Sequence, residues 1–191
     1  MAAFKMTSDF GDRENVLSLL SVHAGNVSDA HETDMVAATI AFVEAQPQCA
    51  ERSLAVGHLT GSAWIVDTER KRTLLTHHRK LDKWLQLGGH ADGELDLARV
   101  AWREAEEESG LTRLRAVSDT LFDVDRHLIP ARKNEPEHWH YDLRFMIEAD
   151  PDESFVISDE SNDLAWIEIT RMAEFNPEES MMRMARKTLA G

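Results

Sequence analysis

Gly88-Gly89-His90-Ala91-Asp92-Gly93-Glu94 leads, after an eight-residue spacer, into Arg103-Glu104-Ala105-Glu106-Glu107-Glu108-Ser109-Gly110-Leu111. This stretch decides the reading of the chain. It describes a glycine-rich loop feeding a short helix that ends in a crowd of carboxylates. Leu97, Val100, Ala101 and Ala105 recur at helical spacing and give the helix a buried side. Asp96 is placed to cap its start and Gly110 to end it. Glu104, Glu107 and Glu108 are three or four residues apart and share one face. Such crowding is unfavourable by itself, because like charges repel and the helix C-terminus is already negative. A hard divalent cation, which prefers oxygen ligands, would offset it.

These residues resemble the Nudix hydrolase signature, G-x5-E-x7-R-E-U-x-E-E-x-G-U, where U is aliphatic. Gly89 matches the opening glycine, Arg103-Glu104 the R-E pair, Glu107-Glu108 the E-E pair, and Gly110-Leu111 the closing G-U. Ala105 takes the first aliphatic place. Leu95 stands where the first glutamate belongs, with Glu94 one residue away. In the family that glutamate commonly pairs with the motif arginine, so the partner of Arg103 is the open question. Glu94 is expected to point away from Arg103, and Leu95 to pack against the core. The resemblance extends from about Gly57 to Ile169. It implies an α/β fold, a Nudix-type α/β/α sandwich with a mixed sheet, and Mg²⁺ or Mn²⁺ held by Glu104, Glu107 and Glu108. It further implies a pyrophosphohydrolase acting on a nucleoside diphosphate linked to another group. Gly88 and Gly89 would admit the phosphates to the backbone. Glu108 or Glu160 would take the proton of the attacking water. The alternative is a Nudix-like ligand-binding or regulatory module that has lost turnover, and Leu95 is the residue that supports it.

Composition fits one globular enzyme domain with an extension. The chain has 191 residues, 42% hydrophobic and 29% charged, enough apolar material for a packed core. A net charge of −14 argues against a nucleic-acid-coating surface, which needs clustered Lys and Arg. It leaves room for a small phosphorylated substrate, because a bound divalent ion inverts the local field. Cys49 is the only cysteine, so no internal disulfide forms and a reducing cytoplasm is the expected setting. Met1-Ala2-Ala3-Phe4-Lys5-Met6 lacks a long apolar stretch, and nothing later approaches a membrane span.

Residues 1–52 read as a helical extension, with helices around Val16–Leu20 and Met35–Val43 and Pro47 closing the second. Residues 53–191 read as the Nudix domain. Strands are expected at Leu59–Val66 and Arg72–Thr76 around a hairpin connection, at Trp84–Leu87, around Leu114–Val124, at Tyr141–Glu148 and at Leu164–Ile169. A final helix is expected from about Pro177 to Leu189. The N-terminal helices are open to three roles: covering the site, pairing two copies as a homodimer, or completing the fold.

Six of the nine histidines fall in or beside expected strands and the glycine loop: His58, His77, His78, His90, His138 and His140. His140 and Asp142 share a strand face at period two. Imidazole with carboxylate suits a transition metal, so His58, His90, His140 and Asp142 are expected to hold a second, transition-metal ion. Hydrogen-bonded structural histidines are the competing reading. The set is similar to that of isopentenyl diphosphate isomerases, which use a Nudix-like fold, in having a histidine opening an early strand and another in a C-G-H loop. Gly88 replaces the loop cysteine of those enzymes, which argues against isomerase chemistry. Arg144, in a strand beside Asp142, is the expected phosphate contact, ahead of Arg126, Arg132 and Lys133. Glu160 lies in the polar loop Ser158–Asp163, where a turn-forming role competes with that of base or metal ligand.

Overall fold

The computed structural model describes residues 12–132 and 135–191; the readings placed on Met1–Met6 and Lys133 lie outside them. Two helices open the described chain, α1 (Arg13–Ala24) and α2 (Ala30–Ala45). Asp12 caps the first by accepting from Asn15 N at 2.8 Å, and Asp29 the second by accepting from Glu32 N at 2.9 Å. Next come β1 (Gly57–Asp67), β2 (Arg72–His78), β3 (Lys83–Leu85), β4 (Leu87–His90), α3 (Leu97–Ser109), β5 (Arg115–Ala116), β6 (Asp123–Ile129), β7 (His138–Ala149) and β8 (Ser161–Glu168). A 3-10 turn (Ile169–Arg171), the one-turn helix α4 (Met172–Phe175) and α5 (Glu179–Ala190) complete the chain. The strands join one eight-stranded sheet in the order β3-β2-β1-β7-β5, with β4 on β1, β6 on β7 and β8 on β2.

The α/β class expected from the sequence holds, and so do the N-terminal helices. Three local readings need correction. Trp84–Leu87 is two strands that meet at Gln86. The stretch 114–124 is the two-residue β5 and the start of β6, because Ser118 and Thr120 form a polar turn between them, with hydroxyls 3.1 Å apart. Ile169 leaves the sheet for the 3-10 turn.

Contacts divide the chain into two compact units, each assembled from separate segments. The second contains Ser62–Gly88, Ala101–Val117 and Met146–Gly191. In it β2 lies antiparallel to β8, from Arg72 opposite Glu168 to Thr76 opposite Leu164. Trp64, wholly buried, donates from Nε1 to Thr188 Oγ1 of α5 at 2.9 Å, so its one polar atom is satisfied inside the core.

The first unit combines the chain up to Gly61 with Gly89–Val100 and Ser118–Phe145. Here α2 meets β6: Glu32, 2% exposed, pairs with His23 at 2.8 Å and accepts from Val124 N at 3.3 Å. Phe42 stacks on Tyr141 with centroids 3.9 Å apart. β6 and β7 are antiparallel, pairing Asp123 with Arg144, Asp125 with Asp142, His127 with His140 and Ile129 with His138. Alternation puts these eight residues on one face. The buried Arg144 donates to Asp142 at 2.7 Å and to Asp123 and Asp125 at 3.2 Å each. Burial works against its charge, but Asp125, Asp142 and Asp123 together hold its pKa above the ordinary arginine value.

Arg144→Met leaves these carboxylates buried without their cation. A loss of about 3–5 kcal/mol is expected in urea unfolding at neutral pH.

Candidate active site

Helix α3 is built as its sequence requires. Leu97, Val100, Ala101 and Ala105 are fully buried. Asp96 accepts from Arg99 N at 3.0 Å, and Gly110, at φ +69°, ends the helix with its N–H on Glu106 O at 2.8 Å. The opposite face carries the acids. Glu107 is exposed, while Glu104 and Glu108 are half-buried. Burial raises the pKa of Glu108 to about 8, with Glu104, Glu160 and Glu107 adding to the rise and the Gly88 N–H, donating to its carboxylate, opposing it. Glu104 is also raised, by burial first; Arg103 opposes, and Glu107 and Glu160 add to the shift. Glu160, exposed in the turn before β8, therefore belongs electrostatically to the same cluster. Four carboxylates concentrate here, and their mutual repulsion adds to the burial that disfavours ionisation of Glu108 and Glu104. Oxygen-only donors, partly desolvated and mutually repelling, are the donor chemistry that fits a hard divalent ion.

Gly88 fixes this corner. A Cβ built on it would collide with the side chain of Ser62 and come within 2.8 Å of the Ser62 Cα, so only glycine fits between β4 and β1. Its N–H favours the ionised form of the Glu108 carboxylate. The motif arginine has found a neighbour: Arg103 Nη2 donates to Glu104 Oε1 at 2.9 Å. Glu94 pairs with Arg99 at 3.4 Å and accepts from Asp96 N at 3.1 Å. The displaced glutamate thus serves the entrance of α3. Leu95 is half-buried, less enclosed than expected.

Two other expected site residues are engaged elsewhere. Arg144, assigned to phosphate, is 2% exposed and surrounded by carboxylates. Asp142, assigned to a metal, has Oδ2 on Arg144 and Oδ1 accepting from Thr60 at 2.9 Å. Sequence spacing showed the shared face but not the partners, which arrive from β6 and β1. Trp139 lies under Arg126, whose guanidinium carbon is 4.3 Å from the ring centroid.

Histidines do gather in the first unit. His58 has ring centroids of His90 and His138 at 5.0 Å and of His140 at 4.8 Å. His127 lies 5.4 Å from His140. Gly57, at φ +146°, lets β1 start against Trp139: a Cβ there would overlap the Trp139 carbonyl. That approach sets His58 among the β7 histidines. His58 is 1% exposed and neither ring nitrogen has a hydrogen-bond partner, an arrangement that costs about 1–3 kcal/mol. Burial lowers its pKa to about 4, helped by His90 and His138; burial and the surrounding histidines lower His140 further. His138 was absent from the expected ligand set, although its period-two spacing from His140 was the available signal.

A model of the NUDIX domain matches residues 58–187, well over half of the chain, and the chain belongs to the Nudix family of hydrolases, enzymes of phosphoric anhydride bonds. No curated protein sequence matches it. Among solved structures it is similar to a Caenorhabditis elegans Ap4A hydrolase, with TM-score 0.56, 19% identity, and 69% of this chain and 95% of that one covered. It is also similar to the Escherichia coli dihydroneopterin triphosphate pyrophosphohydrolase (TM-score 0.53, 15% identity, 70% and 96% covered). A UDP-X diphosphatase matches 94% of this chain and 92% of its own, at 15% identity and TM-score 0.51.

Glu108 provides a pH test on metal-free protein. Its folded pKa of about 8 lies above the unfolded value, so the folded state holds the extra proton between the two. Stability contributed by the neutral carboxyl is full below about pH 4.5 and is lost as pH rises through about 8. With chelator present, stability should fall with pH across this window by up to about 1.4 kcal/mol per unit. Glu108→Gln should flatten that slope in urea titrations; an unchanged slope would disprove the assignment.

Proposed function

We propose that the chain is a divalent-metal-dependent pyrophosphohydrolase that cleaves the diphosphate of a nucleoside diphosphate linked to another group, working on a small phosphorylated substrate in the cytoplasm. The half-buried Glu108 carboxyl, crowded by Glu104, Glu107 and Glu160, is the observation that carries this reading. Glu104, Glu107 and Glu108 would hold Mg²⁺ or Mn²⁺. When bound, the cation neutralises the diphosphate and lowers the pKa of the attacking water. The Gly88 N–H favours the ionised Glu108 carboxylate, and Arg103 orients that of Glu104. Glu108 or Glu160 receives the water proton on a carboxylate oxygen. The substrate class draws support from the UDP-X diphosphatase, whose likeness spans 94% of this chain while the other two structures span 69% and 70%. The cytoplasmic setting rests on the single, buried, unpaired Cys49. No helix among the described residues is long and apolar enough to cross a membrane.

Leu95 keeps a second reading in play: a ligand-binding module without turnover. Phosphate release from a panel of nucleotides and nucleotide sugars, with and without Mg²⁺ or Mn²⁺, separates the two. Metal-dependent release from one nucleoside diphosphate derivative supports the enzyme; tight binding with no release supports the module. Glu107→Gln should lower turnover by about two or more orders of magnitude. Because it relieves like-charge repulsion, the metal-free melting temperature should hold or rise. Saturating Mg²⁺ or Mn²⁺ should raise the wild-type melting temperature, and much less so that of the variant.

A further inference from the structure

We propose that His58, His138 and His140 form a transition-metal site of the Zn²⁺ or Co²⁺ class, with one ring nitrogen from each as ligand and His90 bordering the cluster. One nitrogen from each of the three lies within 4.8 Å of the others. Their backbones are fixed: β7 supplies two at period two, and Gly57 seats the third.

Three observations point to an ion. His138 Nδ1 is 2.8 Å from the Pro136 carbonyl oxygen, which can only accept. The Nδ1 of His138 therefore carries the proton, and its Nε2 presents a lone pair. A backbone carbonyl on the far nitrogen is also how metal-binding histidines are commonly held. That Nε2 lies 3.2 Å from His140 Nε2. Two imidazoles on one tetrahedral Zn²⁺, at 2.0–2.1 Å, have their nitrogens about 3.3–3.4 Å apart. Finally, His58 is 1% exposed and unpartnered at both nitrogens, and its ring sits beside those of His138 and His140. A purely hydrogen-bonded cluster accounts for His138 and His140, with the latter donating, but gives His58 nothing to do.

The donor set selects the ion. Three neutral nitrogens favour Zn²⁺, Co²⁺, Ni²⁺ or Cu²⁺ over Mg²⁺. Asp142 is not a ligand, since both its oxygens are engaged by Arg144 and Thr60. The ring of His90 is 5.0 Å from those of both His58 and His140, so it borders the cluster. This site does not depend on the hydrolase reading: an inactive chain would bind the ion equally well.

The test uses untagged full-length protein in saturating Mg²⁺, so that oxygen-only sites are filled. Co²⁺ is titrated in and its visible d–d absorption recorded, followed by displacement with Zn²⁺. One equivalent of Co²⁺ with the intense band of a four- or five-coordinate nitrogen site, lost on adding Zn²⁺, is the expected result. His58→Ala and His138→Gln should each weaken binding at least about 100-fold, beyond the 10- to 100-fold typical of losing an outer-shell partner; circular dichroism checks their fold. Glu107→Gln should leave the band unchanged. No such band in the wild type overturns the proposal, whatever the variants do. A band that survives in folded His58→Ala and His138→Gln, or disappears in Glu107→Gln, overturns it as well.

Discussion

One guanidinium orders the first unit. Arg144 faces three carboxylates in a region closed to water, and a lone buried charge of either sign would be far costlier than this partial neutralisation. The geometry holds only in one register, since Asp123 and Asp125 must lie opposite Arg144 and Asp142 on the same face. A slip of one residue would turn Asp123 and Asp125 to the face opposite Arg144. The register that satisfies Arg144 also sets His127 opposite His140, two rungs along. Strand pairing, buried charge and the histidine cluster are thus settled by one choice. Well-packed apolar residues would hold the strands at least as firmly; what the ionic version adds is discrimination between registers.

Helix α3 shows the opposite balance. Its caps and apolar side are locally favourable, while Glu104 and Glu108 are held in an environment that suppresses their ionisation. The caps and the buried Leu97, Val100, Ala101 and Ala105 stabilise the helix enough to carry carboxylates that would otherwise disfavour it. Binding surfaces are commonly built this way, with unfavourable groups fixed by a favourable scaffold.

Features written in local sequence were legible in it. Asp96 and Gly110 bound α3 as their chemistry requires, the turn Asp67–Lys71 joins β1 to β2, and Pro47 follows the end of α2. Features that depend on who lies opposite were not. Nothing near Arg144 in sequence announces Asp123 or Asp125, and the bond from Thr60 to Asp142 spans 82 positions. The displaced glutamate shows both sides: the direction of Glu94 followed from its place at a helix entrance, but the pairing of Arg103 with adjacent Glu104 did not. Short elements fail for another reason. A two-residue β5 or a one-turn α4 is too brief to show periodicity.

The contact between Gly88 and Ser62 also bears on how this scaffold could acquire new chemistry. Isomerases of similar fold place a reactive thiol in the corresponding loop, and a single codon change would write cysteine at position 88. The backbone forbids it: even with Ser62 reduced to glycine, its Cα would remain 2.8 Å from the new Cβ. No compensating side-chain replacement at position 62 makes room, and the two strands would have to separate first. Acquisition of a thiol here is therefore limited by main-chain spacing, so an evolutionary or engineered route must begin by loosening the sheet, at a cost in stability before any catalytic gain.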